Sequence, residues 1–435
     1  MTTQQITGRN VYIIDGVRTP FLKARGIGPF SATELGLYAA RELLLRMPFA
    51  ASELDEVIAG CMVPREDEAN IARIIALRLG CGHYMPAWTV QRNCASGMQA
   101  LDCAFKDIAS GRHDLVLAGG TEAMSHAPLI YKNKAVHWFA GLMRSKTKLQ
   151  RLKQLTRLPL MSLLNPTVAL ICGLTDPVVG LGMGQTAEVL ANKFAITRET
   201  MDQFACQSHQ RLAAAFDEGR MDEVIPIYDK NGQAYEVDTG LRRDTTMENL
   251  AKLKPIFDRN YGHVTAGNSS QVTDGACFLM LASEDAVKKY NLPIVAEIKD
   301  AQWAACNPAE MGLGPVYATT PLLQRQQLAI DAVDYWEINE AFAAQVLACI
   351  AAWQDDQFCR DELGLASALG ELDQSRLNID GGAVAAGHPV GASGARIVLR
   401  LIKTLRRQQA KRGIAAICVG GGQGGAMLIE NVSTR

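Results

Sequence analysis

The sequence predicts an α/β protein made of two similar halves, and three observations support that fold class. Strand and helix signals alternate along most of the chain, which is typical of a parallel or mixed sheet covered by helices. The 435 residues are 48% hydrophobic and include 38 glycines, as in many soluble α/β enzymes. A small-residue turn, a helix and a glycine-ended strand also follow one another twice.

The first 124 residues carry the alternation most clearly. Short apolar runs predict buried strands, and apolar residues spaced three and four apart predict helices. The elements predicted in this way are strands at 11–15, 56–60 and 115–118 and helices at 33–46 and 69–79. The last strand ends at Gly119-Gly120.

Residues 125–265 interrupt this alternation. Helical patterns at 184–194, 197–219 and 246–253 are separated by polar stretches, and the strand pattern resumes only at 274–283. We interpret the segment as an insertion into the first half rather than a free-standing domain.

The second half repeats two landmarks of the first. CASG (94–97) precedes a helix and the strand LVLAGG, and GASG (391–394) precedes a helix and the strand ICVGGG. We therefore expect one duplicated α/β unit. The predicted domains are 1–124 with 266–287 for the N-terminal half, 125–265 for the inserted loop domain, and 288–435 for the C-terminal half.

The formal net charge of −1 hides an unusual segment. No acidic residue lies between Glu122 and Asp176, whereas eight lysines and arginines do. Within this basic amphipathic segment, 126–175, the leucines that recur among the basic residues are Leu149, Leu152, Leu155 and Leu158. The pattern suits a membrane surface or a protein partner. The alternative is a solvated helix that covers its own core. We expect no nucleic-acid partner.

Cysteine usage and hydropathy indicate the compartment. The eleven cysteines form no CxxC pair and no Cys/His metal spacing, so we expect reduced thiols and no metal site. The longest apolar runs are shorter than the ~20 residues that span a bilayer, and the stretch MTTQQITGRN carries no apolar signal region. We expect a cytoplasmic protein that associates with a membrane surface, if at all, through 126–175.

Cys94 is the first candidate for chemistry. It lies at the turn where a helix begins, and the positive end of a helix dipole with its unpaired N–H groups favours a thiolate. The position therefore predicts a lowered thiol pKa and a nucleophile with room for substrate beside it. The alternative is a small buried core residue, which is the usual role of a reduced cysteine.

Three further residues accompany it. His388, between Gly387 and Pro389 in a loop with few side chains, is the candidate base. Cys418 ends a buried strand and enters VGGGQGG, whose backbone N–H groups can face an oxyanion. Asn339, at a strand-to-helix junction, reads on residue type alone as a helix N-cap.

Seven blocks in order resemble the thiolase family. They run from residue 93 to 426 and read NCASGMQA, GGTEAMS, MGQTAE, TAGNSSQVTDGA, NEAFAAQ, GGAVAAGHPVGASG and CVGGGQGGA. The resemblance covers nearly the whole chain. It implies the thiolase fold, a five-layered αβαβα sandwich of duplicated halves with an inserted loop domain. It also implies acyl transfer between 3-ketoacyl-CoA and coenzyme A, with coenzyme A as a substrate and no bound cofactor.

The same resemblance implies a role for each candidate. Cys94 would carry the acyl group as a thioester, and His388 would take its proton. Cys418 would be the general acid and base. One oxyanion hole would use His388 and a water held by Asn339; the other would use the backbone N–H groups of Cys94 and Gly420. The positions that match the family's coenzyme A contacts are Arg242, Leu253, Phe257, Ala266 and Ser270.

Two features separate this chain from short-chain biosynthetic thiolases, which it resembles less. Gly182 stands where those enzymes tend to have histidine, and the segment 126–175 is longer and more basic. Both features favour the thiolase subunit of a fatty-acid β-oxidation complex, a homodimer or tetramer with a hydratase/dehydrogenase partner. An acetoacetyl-CoA thiolase remains the alternative. Cys418 argues against a decarboxylating ketoacyl synthase, and the presence of Cys94, His388 and Cys418 together argues against a lipid carrier with a degraded site.

Overall fold

The structure is a computed structural model that describes residues 8–432. The first seven residues of the N-terminal stretch considered above therefore lie outside the described residues. The strands are β1 Val11–Arg18, β2 Leu22–Lys23, β3 Glu56–Gly60, β4 Ala87–Val90, β5 Leu115–Ala123, β6 Leu129–Ile130, β7 Thr167–Val168, β8 Ile227–Tyr228, β9 Ala234–Tyr235, β10 Thr273–Ser283, β11 Ala296–Ala305, β12 Tyr335–Ile338, β13 Arg412–Val419 and β14 Gln423–Glu430.

Helices alternate with these strands. They are α1 Ala32–Leu45, α2 Ile71–Arg78, α3 Ser96–Ala109, α4 Asn133–Arg144, α5 Lys148–Leu155, α6 Leu160–Leu164, α7 Ala169–Gly173, α8 Met183–Lys193, α9 Arg198–Asp217, α10 Met247–Ala251, α11 Glu284–Tyr290, α12 Gly314–Arg325, α13 Ala343–Gln354, α14 Asp356–Asp361, α15 Ala383–Ala386 and α16 Val390–Arg407. The elements predicted from periodicity are present, with ends displaced by a few residues. The strand expected to end at Gly119-Gly120 continues to Ala123, because both glycines pair with β10.

Ten strands form one mixed sheet in the order β12-β13-β14-β11-β1-β10-β5-β3-β4, with β2 beside β10. The first-half strands are neighbours at one end and the second-half strands at the other, and only β1 and β11 join them. Parallel pairs link β3 to β4 and β5, and β12 to β13. The expected mixed sheet is therefore confirmed.

The buried side chains show why the fold has five layers. Alternate residues of β5 face opposite sides: Val116 and Ala118 join the cluster around α3 and α16, whereas Leu115 and Leu117 join the cluster under α1 and α2. In β13, Ile417 likewise faces the central helices and Cys418 faces α12 and α13. Strands buried on both faces need helices on both sides. The layers are thus outer helices, the first-half part of the sheet, the central helices, the second-half part of the sheet, and outer helices.

The two small-residue turns meet at the centre of the molecule. A Cβ added to Gly394 would lie 2.5 Å from the backbone nitrogen of Met98, and one added to Gly97 would lie 2.8 Å from the carbonyl oxygen of Gly391. Helices α3 and α16 can approach so closely only because these positions lack side chains. The repeated CASG and GASG turns therefore place the beginnings of both central helices side by side.

Gly394→Ala is expected to destabilise the protein by roughly 1–3 kcal/mol, the usual effect of overpacking a tight core contact. The backbone of α3 must move to admit the methyl group, so activity should fall as well. Scanning calorimetry measures the first effect. Gly182→Ala is the control, because its nearest contact would be an ordinary 3.5 Å; equal melting temperatures for the two variants would contradict the close-approach argument.

The inserted segment, residues 125–265, forms helices and small sheets outside the large sheet. It contributes α4 to α10 and two small two-stranded sheets, β6-β7 and β8-β9, and the large sheet receives no strand from it among the described residues. Trp138 Nε1 on α4 donates to Gln154 O on α5 (2.8 Å), which ties these helices into a hairpin. Leu149, Leu152 and Leu155 are 76%, 60% and 50% exposed. The alternative in which this helix covers its own core is therefore wrong.

Candidate active site

One open cavity of about 590 Å³ collects most of the predicted site residues. Its wall includes both thiols and the candidate base, namely Cys94, Cys418 and His388. It also includes Ile171 and Leu174 from the insertion. The loops that follow strands of both halves thus converge on this cavity, as ligand sites in α/β folds commonly do.

Cys94 lies in the short 3₁₀ turn Asn93–Ala95 directly before α3. Its thiol is partly exposed to the cavity. Asn93 has a positive φ of 42° and donates its side-chain amide to the carbonyl oxygen of Gly420 (2.7 Å). This bond joins the turn of the first half to the glycine loop of the second half, which places the two loops against each other.

The predicted lowering of the Cys94 pKa is wrong. Burial raises the pKa of this thiol to about 11, and the buried carboxyl of Glu122 raises it further. The backbone N–H groups of Gly420 and Cys94 act in the opposite direction, but they do not outweigh burial. Cys94 is therefore a neutral thiol near pH 7, and its activation needs a base.

His388 supplies a free nitrogen for that purpose. Gly387, with φ of 109°, turns the chain sharply between α15 and α16, and a side chain there would clash with Thr273. His388 Nδ1 lies 2.6 Å from Ser393 Oγ, which in turn donates to Pro389 O (3.0 Å). Since a hydroxyl has one hydrogen, we assign Nδ1 as the protonated nitrogen.

The other nitrogen of His388, Nε2, is buried and has no hydrogen-bond partner among the described residues. Burial, and secondarily the Arg396 guanidinium, lower the pKa of His388 to about 3. The imidazole is therefore neutral at physiological pH, with Nε2 ready to accept a proton. This is the state that a general base requires.

Cys418 is the second thiol on the wall. It is 1% exposed at the end of β13, opposite Gly424 of β14. Burial, followed by the nearby thiol of Cys94, raises the pKa of Cys418 well above its usual value. It therefore holds its proton firmly, which suits a group that must give a proton to a carbanion and take one back.

Asn339 lies behind His388 and is not part of the cavity wall. Its backbone N–H donates to Ala416 O (2.9 Å), and α13 begins only at Ala343, so the N-cap alternative is wrong. Its side-chain Nδ2 lies 3.5 Å from His388 Nδ1, and its Oδ1 accepts from Arg396 (3.3 Å). Any role of Asn339 therefore involves His388.

Four of the five predicted coenzyme A contacts lie on the wall: Arg242, Phe257, Ala266 and Ser270. The Nε atom of Arg242 is buried without a partner among the described residues. Phe257 packs edge-on against Phe342, with ring centroids 5.9 Å apart. Leu253 does not line the cavity but packs against Leu250 and Val384 in a small apolar cluster. Gly182, whose lack of bulk was noted above, does line it.

Two buried carboxylates escaped the sequence analysis. Glu122 accepts from the backbone N–H groups of Met62, Val63 and Gly391 at 2.9–3.0 Å, and burial raises its pKa to about 7. Glu340 accepts from Ser208, Asn378 and Val384. Each carboxylate thereby connects loops from different parts of the chain. An acid among small residues, as in GGTEAM and NEAF, is the signal that indicates such a role.

A metal site was not expected. Within residues 8–432, one group of side chains brings three ligand atoms within 4.8 Å of one another, those of Glu56, Asp107 and His113. None of the three lines the cavity. That no metal takes part stays a prediction.

The fold and the cavity define a protein of two similar α/β halves whose loops bring two thiols and an imidazole to one cavity wall. Two family models match the chain: "Thiolase, N-terminal domain" over residues 11–285 and "Thiolase, C-terminal domain" over residues 292–431. The chain belongs to the thiolase family.

Relatives and solved structures agree with this assignment. A 3-ketoacyl-CoA thiolase of Yersinia enterocolitica is 36% identical over 429 residues, which cover 97% of both chains. The crystal structure of human mitochondrial 3-ketoacyl-CoA thiolase has a TM-score of 0.83 at 38% identity and covers 98% of this chain and 99% of its own. An acetyl-CoA acetyltransferase of Bacillus anthracis has a TM-score of 0.84 at 35% identity, with coverage of 98% and 100%. A further human structure contains CoA.

Proposed function

We propose that this chain cleaves 3-ketoacyl-CoA with coenzyme A, giving acetyl-CoA and a shortened acyl-CoA, through an acyl group carried on Cys94. The observation that carries the proposal is the single cavity that holds two neutral thiols and a neutral imidazole with a free Nε2. Thiolytic cleavage of the C2–C3 bond of a 3-ketoacyl thioester needs a covalent acyl carrier and a separate proton shuttle. Cys94 and Cys418 fit these two tasks.

The first half of the reaction forms the acyl-enzyme. His388 Nε2 takes the proton of Cys94, and the sulfur attacks the C3 ketone of the substrate. The C2–C3 bond breaks, its electron pair goes to C2, and the resulting acetyl-CoA enolate takes the proton of Cys418. Acetyl-CoA leaves, and Cys94 holds the acyl chain as a thioester. The N–H groups of Gly420 and Cys94 point to the sulfur region and would stabilise an oxyanion formed there.

The second half returns the enzyme to its starting state. The Cys418 thiolate takes the proton of coenzyme A, whose sulfur attacks the thioester carbonyl. Cys94 leaves and recovers its proton from His388. Arg242 would pair with a phosphate of coenzyme A, and Phe257 and Ser270 would contact its adenine and pantetheine parts. For Ala266 and Leu253, the proposed contact with coenzyme A rests on the family resemblance.

CoA-dependent thiolysis by the purified protein, across 3-ketoacyl-CoA lengths from four to sixteen carbons, tests the function. Turnover at eight carbons and above is expected, because apolar residues and Gly182 leave a wide apolar cavity beside Cys94. Activity confined to acetoacetyl-CoA would favour the biosynthetic alternative. No thiolysis at any length would contradict the proposal.

We also propose that the basic segment 126–175 binds an anionic membrane surface. Its eight cations have no acidic residue between them, and its outward apolar side chains include Met143, Met161 and Leu164 at 87%, 80% and 71% exposure. Apolar contacts and attraction to anionic lipids act together in such segments. Among residues 8–432, no helix is both long and apolar enough to cross the bilayer.

Changing Lys148, Arg151, Lys153 and Arg157 to glutamine should weaken binding to phosphatidylserine-containing vesicles by about three orders of magnitude, since each basic residue contributes ~1 kcal/mol near such a surface. Thiolysis of a short substrate should not change. The matched control replaces four exposed lysines elsewhere: Lys230, Lys252, Lys288 and Lys289. Equal losses from both sets, or binding only to a protein partner, would contradict the membrane proposal.

The assembly is a further part of the proposal. Strand β4 lies at one end of the sheet and, within residues 8–432, pairs with β3 alone, so its other edge is open to a second copy. This supports a homodimer or tetramer, which analytical ultracentrifugation would detect. We propose a cytoplasmic role in fatty-acid β-oxidation beside a hydratase/dehydrogenase subunit. The three domains keep the boundaries given above.

A further inference from the structure

A buried arginine donates hydrogen bonds to the end of β12, close to the candidate base His388. Arg396 lies on α16, is 4% exposed and does not line the cavity. Its Nη1 donates to Glu337 (3.2 Å) and its Nη2 donates to Asn339 Oδ1 (3.3 Å). Glu337 and Asn339 are two residues apart, so both side chains project from the same face of the strand end. A charge is rarely buried so fully without a specific partner or task.

The contact determines which end of the Asn339 amide faces His388. A guanidinium has only donors, so it must meet the amide oxygen and not the amide nitrogen. The nitrogen, Nδ2, is then turned toward His388 and lies 3.5 Å from Nδ1, but it makes no hydrogen bond there because Nδ1 carries the proton that Ser393 Oγ accepts. Without Arg396, the amide could rotate by half a turn, and its oxygen would accept from Nδ1 instead. The hydrogen-bond environment of the imidazole would then differ.

The charge of Arg396 acts in the same region. Arg396 pairs with Glu337 and lies near the carboxyl of Glu340, and the thiols of Cys94 and Cys418 line the same cavity as His388. Arg396 is the charged group that lowers the pKa of His388 in addition to burial. It thus keeps the imidazole neutral.

We propose that Arg396 is a positioning residue for the reaction: it holds the Asn339 amide oxygen away from His388, so that Nδ1–H stays paired with Ser393 and the imidazole keeps one orientation. The inference rests on the proposed thiolysis and names a residue that the substrate does not touch. A purely structural role is the alternative, in which the Arg396–Glu337 pair stabilises the fold and nothing more. The two differ in one respect, because only a positioning role requires Asn339.

A double-mutant cycle with Asn339→Ala separates these roles. The first variant combines Arg396→Met with Glu337→Met, since removing both partners leaves no unpaired buried charge. In the wild-type background it should lower kcat roughly 10- to 100-fold, as expected when a catalytic group is slightly misplaced, with KM within about twofold. In the Asn339→Ala background, the same change should lower kcat less than about threefold.

Arg400→Lys is the matched control. Arg400 is equally buried one turn further along α16, but it pairs with Glu223 and Asp380 instead of Asn339. Its effect on kcat should be small and the same in both backgrounds. If the double methionine variant does not fold, as judged by calorimetry, Arg396→Lys replaces it, because a lysine cannot bridge Glu337 and Asn339 with one planar fork.

If the Arg396 variant lowers kcat by the same factor in the wild-type and Asn339→Ala backgrounds, the inference is wrong, whichever Arg396 variant is used. An unchanged kcat for both Arg396 variants in folded protein would also overturn it. Absence of thiolysis in the wild type would instead contradict the proposed function, so the two failures are distinguishable.

Discussion

Cys94→Ala should lower the kcat of thiolysis by at least ~10⁴-fold, as removal of a catalytic nucleophile does in other covalent enzymes. The reason is that no second thiol can replace it. Cys418, the other thiol on the cavity wall, is 1% exposed, and burial raises its thiol pKa well above the usual value. Mass spectrometry of the variant after mixing with acyl-CoA should show no covalent acyl group. The folded state should persist, because a small side chain is replaced by a small one.

Cys103→Ala is the control for this experiment. Cys103 is also a partly exposed thiol and lies on α3, two turns beyond Cys94, but outside the cavity. Its removal should leave kcat within about twofold. A Cys94→Ala variant that keeps a tenth of the wild-type activity would show that the acyl group is carried elsewhere.

Cys418→Ala should lose turnover by roughly 10²- to 10⁴-fold, the range for loss of general acid–base catalysis, yet still accept an acyl group on Cys94. His388 still takes the proton of Cys94, and water can supply the proton that the acetyl-CoA enolate would otherwise take from Cys418. The missing step is proton transfer at the carbon of acetyl-CoA and at the thiol of coenzyme A. Quenched-flow measurement should therefore detect acyl-enzyme that forms but discharges slowly.

The contrast between the two variants is the informative result. Loss of acylation in Cys418→Ala, with the fold intact, would mean that Cys418 activates Cys94 rather than serving as the proton shuttle. Near-normal turnover would remove Cys418 from the mechanism. Cys349→Ala is a suitable control, because Cys349 is buried on α13 and contacts Gly312 O (3.2 Å) but does not line the cavity.

Local patterns predicted much of this architecture. Short apolar runs predicted the strands, and apolar residues spaced three and four apart predicted the helices, because each strand and helix buries its own apolar residues. The small residues of CASG and GASG also predicted the repeat, and the structure explains them by the contact between α3 and α16. Cys94, His388 and Cys418 were each recognisable from a loop in which little else carries a side chain, and all three share one cavity.

Other features depend on contacts between residues that are far apart in the sequence, and no local pattern contains these contacts. The Cys94 pKa was predicted to fall because the helix terminus is visible in the sequence, whereas the burial that raises it comes from segments far along the chain. Glu122 meets Gly391, 269 residues away, and Arg396 meets Glu337 and Asn339 on another element. Leu253 was assigned by resemblance, and its side chain packs in a cluster beside the cavity rather than on its wall.

The central claim is that a thioester on Cys94 lies on the path of thiolysis. The most direct test mixes wild-type protein with 3-ketoacyl-CoA in the absence of free coenzyme A, locates the acyl group by peptide mass, and then follows its discharge after coenzyme A is added. We expect one acyl group per chain on the peptide that contains Cys94, discharged at least as fast as kcat. No acyl group on that peptide, or discharge slower than turnover, would contradict the account.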